Sequence, residues 1–433
     1  MRIALVNPRW SFEGSVYFGC REPHLPLEYG YARALLARAG HDVRIVDGQA
    51  RDLSAAKIRA EVTAHDPEMT VITTAPSYLF WRCAPPELRV PQEILAALHD
   101  VPGFKIAVGP HASTTPRAAL RKLGVDAVVL GECEEVLVDL ATIPRTRWSE
   151  VSSIAYRDGE QIRVQGGLRS TDMAALPALS WEDATVAAHA HHHHRFDAKP
   201  EGAGAEIEAS RGCPYHCTFC AKDNFRDRYR KRPLDVVLEE LDRLLVQGIR
   251  YVYFIDEIFL PDKPLLEALA RRDVVFGVQM RIDNWSREML DLLGAAGCVS
   301  IEAGVESITP EGRSLLRKHC RMSTAELGEL LVHVRRRVPF VQANLLDAKT
   351  DDPAEVRAFR DHLRSHGVWA NDPVPMFPYP GSPDYSMRWG APDDEAWERA
   401  VDHYLGDFDR FSDIQEARPL PLADLERPAP REG

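Results

Sequence analysis

With 433 residues, 45% of them apolar and 27% charged, the chain has an ordinary globular composition and the length for two or three hydrophobic cores. Its 53 Lys plus Arg stand against 65 Asp plus Glu, a net charge of -12 that repels a phosphate backbone and argues against nucleic acid as a partner. No apolar run approaches bilayer thickness, residues 1–10 lack a secretory signal pattern, and eight cysteines suit metal ligation better than a disulfide framework, so no membrane and a cytoplasmic location are expected.

Residues 1–150 alternate short apolar strands with helical patterns, which predicts an α/β, doubly wound, Rossmann-like domain. Strands are expected at 2–6, 43–47, 70–74, 105–108 and 126–130, with a helix over 29–38 that Gly40 ends. In such sheets ligands sit beyond the carboxyl ends of the strands, so the loops starting at Asn7, Ala75, Gly109 and Gly131 should converge. No Gly-x-Gly-x-x-Gly follows the first strand, which argues against a dinucleotide or flavin site.

Residues 151–205 read as a hairpin, 153–157 and 161–164, turned at Asp158-Gly159 and followed by an aperiodic linker. The histidines at 189 and 191–194 lie in that linker and are read as polar surface. Residues 206–385 return to strand and helix alternation, with strands at 206–210, 251–255, 274–280, 298–302, 340–345 and 369–373, which suits a partial (β/α)6 TIM-like barrel. Residues 386–433 form a C-terminal extension, acidic and then proline-rich, expected to pack or fray at the surface. The basic stretch 226–232 reads as a solvated loop or, alternatively, as a grip for an anion.

The chemistry concentrates in Cys213, Cys217 and Cys220, three thiols on one short loop directly after a predicted strand. Three thiolates can each reach a different iron of a 4Fe-4S cube, leaving one iron for an exchangeable amino-carboxylate ligand. A structural zinc ion would need a fourth protein ligand, and His216 lies awkwardly between two of the cysteines.

The Cys-x3-Cys-x2-Cys spacing, with the aromatic Phe219 before the last cysteine, resembles the radical S-adenosylmethionine superfamily. That resemblance implies S-adenosylmethionine as a second cofactor, cleaved reductively to a 5'-deoxyadenosyl radical, and an electron donor such as a flavodoxin or ferredoxin. It implies that Phe219, Asp256 and Glu257 after the second barrel strand, Arg281 after the third, and Glu306 and Ser307 of the Glu302-to-Ser307 segment bind S-adenosylmethionine. Arg281 suits a carboxylate by its guanidinium geometry, with a structural salt bridge as the alternative. The loop 378–383 resembles one that lines the substrate cavity of members that also carry a corrin domain.

The segments 25–31, 73–77, 108–112 and 129–135 resemble the cobalamin-binding domain fused ahead of such cores in the class B radical methyltransferases. Asn7, Pro26, Leu27, Thr74, Ala75, Ser77, Gly109, Pro110, His111, Gly131 and Glu132 are the cobalamin contacts this implies. Val108 and Cys133 stand where glycine is common in relatives, and no Asp-x-His-x-x-Gly motif offers a histidine to cobalt. Cys20, Cys83 and Cys133 put three thiols in the front domain, which resembles the methylthiotransferases with their second cluster there; the acidic net charge stands against that rival. Cys298 and Cys320 read as ordinary buried or helix-surface residues.

The expected function is therefore C-methylation of an unactivated carbon of a small metabolite, a natural product or sugar-like molecule, through the radical and methylcobalamin. The alternatives are cyclisation or rearrangement with the same cofactors, and a non-catalytic iron-sulfur protein.

Overall fold

The computed structural model describes residues 1–17, 23–76, 83–189, 204–222, 226, 228–407 and 417–426. The front unit contains β1 Arg2–Asn7, β2 Asp42–Asp47, β3 Met69–Thr73, β4 Phe104–Val108, β5 Ala127–Val129, β6 Ile154–Asp158 and β7 Gln161–Gln165. They form one sheet ordered β2-β1-β3-β4-β5-β6-β7, with β1 to β5 parallel. Alternate strand residues divide between two cores: Ile3, Leu5, Val71 and Ile106 on one face, Ala4, Val6, Ile72 and Ala107 on the other. A sheet covered on both faces is what continuous apolar strands require.

The hairpin is no separate segment. β6 pairs antiparallel with β5 and so caps an edge that would otherwise expose unpaired backbone groups. The linker after it also differs from expectation. Met173, Leu176, Leu179, Trp181 and Val186 are buried in the same core as the barrel. Trp181 lies against Gly30, where a Cβ would stand 2.8 Å from its ring. Aperiodic sequence hides such anchors because each apolar residue docks singly, without a repeating face. His189 is fully buried, its Nδ1 2.7 Å from the Thr185 carbonyl, whereas the run 191–194 lies outside the described residues.

The second unit holds β8 Gly204–Ile207, β9 Ser210–Arg211, β10 Arg230–Lys231, β11 Tyr251–Phe254, β12 Val275–Met280, β13 Cys298–Glu306, β14 Phe340–Leu345 and β15 Trp369–Ala370. Six of these make a parallel sheet in the order β15-β14-β13-β12-β11-β8, the partial barrel expected from the alternation. β9 and β10 pair separately as a two-stranded clasp. β13 runs four residues past the expected end, because the motif itself continues the strand through Glu306.

The helix Leu27–Arg38 lies between the units, with Leu27 to Ala32 all buried. Its Tyr31 ring carries Arg211 at 5.3 Å and Arg232 at 5.1 Å, both from the barrel side. The C-terminal extension packs on the front unit: Trp397 stacks on His111 at 4.3 Å, and Lys122 pairs with Glu398 at 2.6 Å and Glu426 at 2.8 Å. Among the described residues no helix is long and apolar enough to cross a membrane.

Candidate active site

The cysteine loop leaves β9 and returns at β10, so the clasp pairs Arg211 with Arg230 and closes the loop at its neck. Gly212 makes the exit possible. Its φ is +78°, and a Cβ there would lie 2.1 Å from the Arg228 carbonyl oxygen. Cys213, Cys217 and Cys220 are half-buried thiols outside any disulfide, and the Cys220 amide donates to the Cys217 carbonyl at 3.2 Å. Burial pushes the Cys217 thiol up to about 11, opposed by the charges of Lys318 and Arg281. Among the described residues no three His, Cys, Asp or Glu side chains converge as they would on a single ion. Ligands of a cube go to separate irons, and three such thiols on a glycine-released loop fit that donor set.

Asp256 and Glu257 sit where expected, after β11, but their carboxylates face the loop rather than open space. Asp256 accepts from the Ala209 amide at 2.9 Å and from the Ser210 hydroxyl. Desolvation pushes it up to about 8. Glu257 accepts from the Gly212 amide at 2.8 Å and pairs with Arg226. Both acids thus hold the neck of the cysteine loop.

Arg226 is the surprise of the basic stretch: Arg228 and Lys231 are exposed, as a solvated loop has them, but other members turn inward. Arg226 and Arg232 are buried, the latter pairing with Glu240 at 2.8 Å. Arg226 joins a network that crosses between the units. Arg211 pairs with Glu208 at 2.9 Å, Glu134 at 2.7 Å and Glu132 at 3.3 Å, and Arg230 also pairs with Glu132. Glu132, expected among the cobalamin contacts, accepts from the Thr171 amide at 2.7 Å as well. Its carboxylate is therefore turned to the arginines of the barrel. Burial raises its pKa, but Arg211, Arg230 and Arg226 outweigh that and bring it down to about 2. Glu28 lies near the same charges, and desolvation pushes it up to about 8. The arginines are already matched by Glu132, Glu134 and Glu257, so Glu28 stays protonated at neutral pH.

At the other strand ends, Arg281 chelates Asp283 at 2.6 Å and the Lys318 carbonyl at 2.6 Å, and lies 3.9 Å over the Tyr215 ring. Its Nη1 is buried with no hydrogen-bond partner, which suits a carboxylate brought by a ligand. Glu306 ends β13 with φ +60° at a register shift and pairs with Lys318. Ser307 is buried and donates to Asp351 at 2.7 Å, so its hydroxyl secures the turn into the next helix. Phe219 is half-buried on the cysteine loop. Directly after the 378–383 loop, the Asp384 amide donates to the Thr218 carbonyl of the cysteine loop at 2.9 Å. Lys318 and Tyr215 were not singled out by sequence; Lys318 lies far from any recognised motif, and only an alignment by strand end would point to it.

In the front unit, Gly109 has φ +122°, and a Cβ there would stand 2.5 Å from the Thr74 hydroxyl. That hydroxyl is buried without a hydrogen-bond partner, so Gly109 lets its strand end pack on Thr74 and an unsatisfied polar atom remains there. Ala75 and Pro110 are buried beside them. Ser77 lies outside the described residues. Asn7 donates to Asp47 at 2.9 Å and accepts from Trp10, and Gly131 packs on the Arg169 backbone, with 2.4 Å for an added Cβ. Pro26 and Leu27 start the buried helix, where the Pro26 carbonyl accepts from the Tyr29 amide at 2.9 Å. His111 has Nε2 3.1 Å from the Pro86 carbonyl, and burial lowers it to about 3, so its ring is neutral. Thr74 keeps an unpartnered buried hydroxyl and His111 an unpartnered buried Nδ1, atoms that suit a ligand; Asn7, Gly131 and Glu132 have side chains or backbone engaged by the protein itself.

Comparisons with known proteins agree with this arrangement. The radical SAM superfamily model matches residues 207–354, and the B12 binding domain model matches residues 21–141. An uncharacterized methyltransferase of Pyrococcus horikoshii is 26% identical over 325 residues, covering 72% of this chain and 66% of the relative. The anaerobic magnesium-protoporphyrin IX monomethyl ester cyclase of Cereibacter sphaeroides is 26% identical over 395 residues, covering 82% of this chain and 58% of the relative. The chain thus spans two thirds or less of these relatives. The structure of the radical S-adenosylmethionine methyltransferase TsrM from Kitasatospora setae, with tryptophan and a SAM analog bound, superposes with a TM-score of 0.68. It is 19% identical, with 90% of this chain and 76% of that one covered, a likeness of fold.

Proposed function

We propose, from the premise that the chain belongs to the radical SAM superfamily and is a cobalamin-dependent radical SAM enzyme, that it transfers a methyl group to an unactivated carbon of a small polar metabolite. The cluster supplies an electron for cleaving S-adenosylmethionine, and the corrin supplies a methyl carrier. The chain's own residues do the rest. Arg281 presents a guanidinium edge for the methionine carboxylate, Asp256 and Glu257 fix the neck of the cysteine loop, and Thr74 offers its unpartnered hydroxyl toward the corrin.

The observation that carries this reading is the buried network joining Glu132 and Glu134 of the front unit to Arg211, Arg226 and Arg230 at the cysteine loop. It brings the strand ends of the two units together, as a shared substrate between radical source and methyl carrier requires. The barrel interior supports a polar substrate. Gln279, Glu302, Gln342 and Trp369 are register neighbours on β12 to β15 and half-buried, whereas the alternate residues Val278, Ile301, Val341 and Ala370 are fully buried. Strands about 4.8 Å apart make this a row of amide, carboxylate and aromatic groups. Such a row suits a hydroxyl-bearing natural product or sugar-like molecule.

The test is anaerobic reconstitution with iron, sulfide and cobalamin, followed by incubation with reductant, methyl-labelled S-adenosylmethionine and candidate metabolites. Label in the product together with S-adenosylhomocysteine is the expected result. The second reading, cyclisation or rearrangement, is favoured by the cyclase relative over 82% of the chain. A product without added methyl and without S-adenosylhomocysteine establishes that reading and removes the first.

A further inference from the structure

Three of the seven non-glycine residues with positive φ among the described residues lie around one buried lysine: Glu306 at +60°, Arg317 at +52° and His319 at +56°. Left-handed backbone at such residues is strained and persists where the surroundings impose it. Here it gives Lys318 an orientation opposite to its neighbours. Arg317 and His319 are exposed, whereas Lys318 is 2% exposed. A cation is costly to bury, so the turn is shaped to put it inside.

Inside, Lys318 joins the ends of β12 and β13. Its Nζ donates to the Gly304 carbonyl at 3.0 Å and to the Glu306 carboxylate. Its carbonyl accepts from Arg281 Nη2 at 2.6 Å, so the same residue fixes the guanidinium whose Nη1 is left without a partner. Two residues earlier, the Leu316 carbonyl accepts from the Thr218 amide at 3.1 Å, between Cys217 and Cys220.

We propose that Lys318 is a positioning residue of this enzyme, holding Glu306 and Arg281 at the mouth of the barrel and placing a fixed positive charge beside the cysteine loop. The inference rests on the reading of Cys213, Cys217 and Cys220 as cluster ligands and goes beyond it by assigning a role to a residue outside the motifs. Two consequences follow from charge and geometry. A cation near the cluster favours the reduced, more negative state, so its removal makes the cluster harder to reduce. Losing the tie on Glu306 and Arg281 loosens the ligand they frame.

Full-length wild type, Lys318→Arg and Lys318→Met are reconstituted anaerobically, assayed for iron, and followed by redox titration and by the change in the reduced cluster's EPR signal as S-adenosylmethionine is added. In K318M the potential moves to more negative values, and the S-adenosylmethionine concentration for half the EPR change rises roughly tenfold, the scale of a lost charge-assisted contact. K318R recovers most of both. A merely structural lysine would leave potential and EPR titration at wild-type values in an iron-loaded K318M, and that result overturns the inference. If K318M holds no iron, Lys318→Gln replaces it. Iron lost from both uncharged variants and restored in K318R supports the role of the charge, and iron lost from all three overturns it. A wild type that takes up no iron defeats the cluster reading itself, whereas an iron-loaded K318M that matches wild type defeats only this inference.

Discussion

Replacing Glu132 by Gln tests the network that joins the two units. The side chain is fully buried, accepts from the Thr171 amide, and faces Arg211, Arg226 and Arg230. Glutamine keeps the shape and one acceptor oxygen but removes the charge, leaving three guanidinium groups with one acid fewer. The drop of Glu132 from 4.5 to about 2 corresponds to about 3 kcal/mol of interaction with the ionised form. Breaking a buried pair by removing one partner costs about 3–5 kcal/mol, so the two routes agree. The expected result is a loss of about 3 kcal/mol in urea unfolding of the anaerobic protein at pH 7. Because the folded pKa is depressed, the wild-type advantage is fully present above the ordinary value of 4.5 and shrinks as pH falls toward about 2. Iron retention falls too, since Arg211 directly precedes Gly212 and Cys213. A variant within about 1 kcal/mol of wild type at pH 7, or a gap that widens on acidification, refutes the reasoning.

Three other outcomes are expected. Glu28→Gln raises stability at pH 8 by up to about 5 kcal/mol, because Glu28 is pushed up to about 8 by desolvation and its burden, absent below pH 4.5, grows as pH rises through that range. Melting curves at pH 5 and pH 8 check this, and a difference that does not grow with pH contradicts it. Gly212→Ala destabilises by about 2 kcal/mol or more and lowers iron content, since the new methyl meets the Arg228 carbonyl at 2.1 Å on a left-handed backbone; full iron loading would show that the loop has room. Arg281→Lys weakens S-adenosylmethionine binding at least roughly tenfold, because a point charge cannot replace the planar fork that holds Asp283, the Lys318 carbonyl and a carboxylate together. Equilibrium binding to the reconstituted protein measures it, and near-wild-type affinity would remove Arg281 from the ligand site.

The strands at 2–6, 105–108 and 340–345, the partial barrel and the place of the cysteine loop were legible in the chain because period, apolar runs and glycine positions are local properties. Thr74 and Gly109 were each singled out as strand-end residues, but their packing on one another shows only in the fold. Asp256, Glu257 and Glu132 were recognised as important polar residues, yet their partners were not. Nothing in the local pattern says that Glu257 reaches Gly212 and Arg226, or that Glu132 meets arginines about a hundred residues away.

What the sequence determined by itself is the chemistry on offer: three thiols at cube-compatible spacing, strand ends rich in small and polar residues, and two sheets to carry them. What the tertiary structure decided is where each charge points. Burial makes an ion pair or an unsatisfied atom consequential, and burial arises only when segments distant in the chain close over one another. That is why Lys318, exposed by composition and flanked by exposed residues, becomes the buried centre of the strand-end site only in the folded protein.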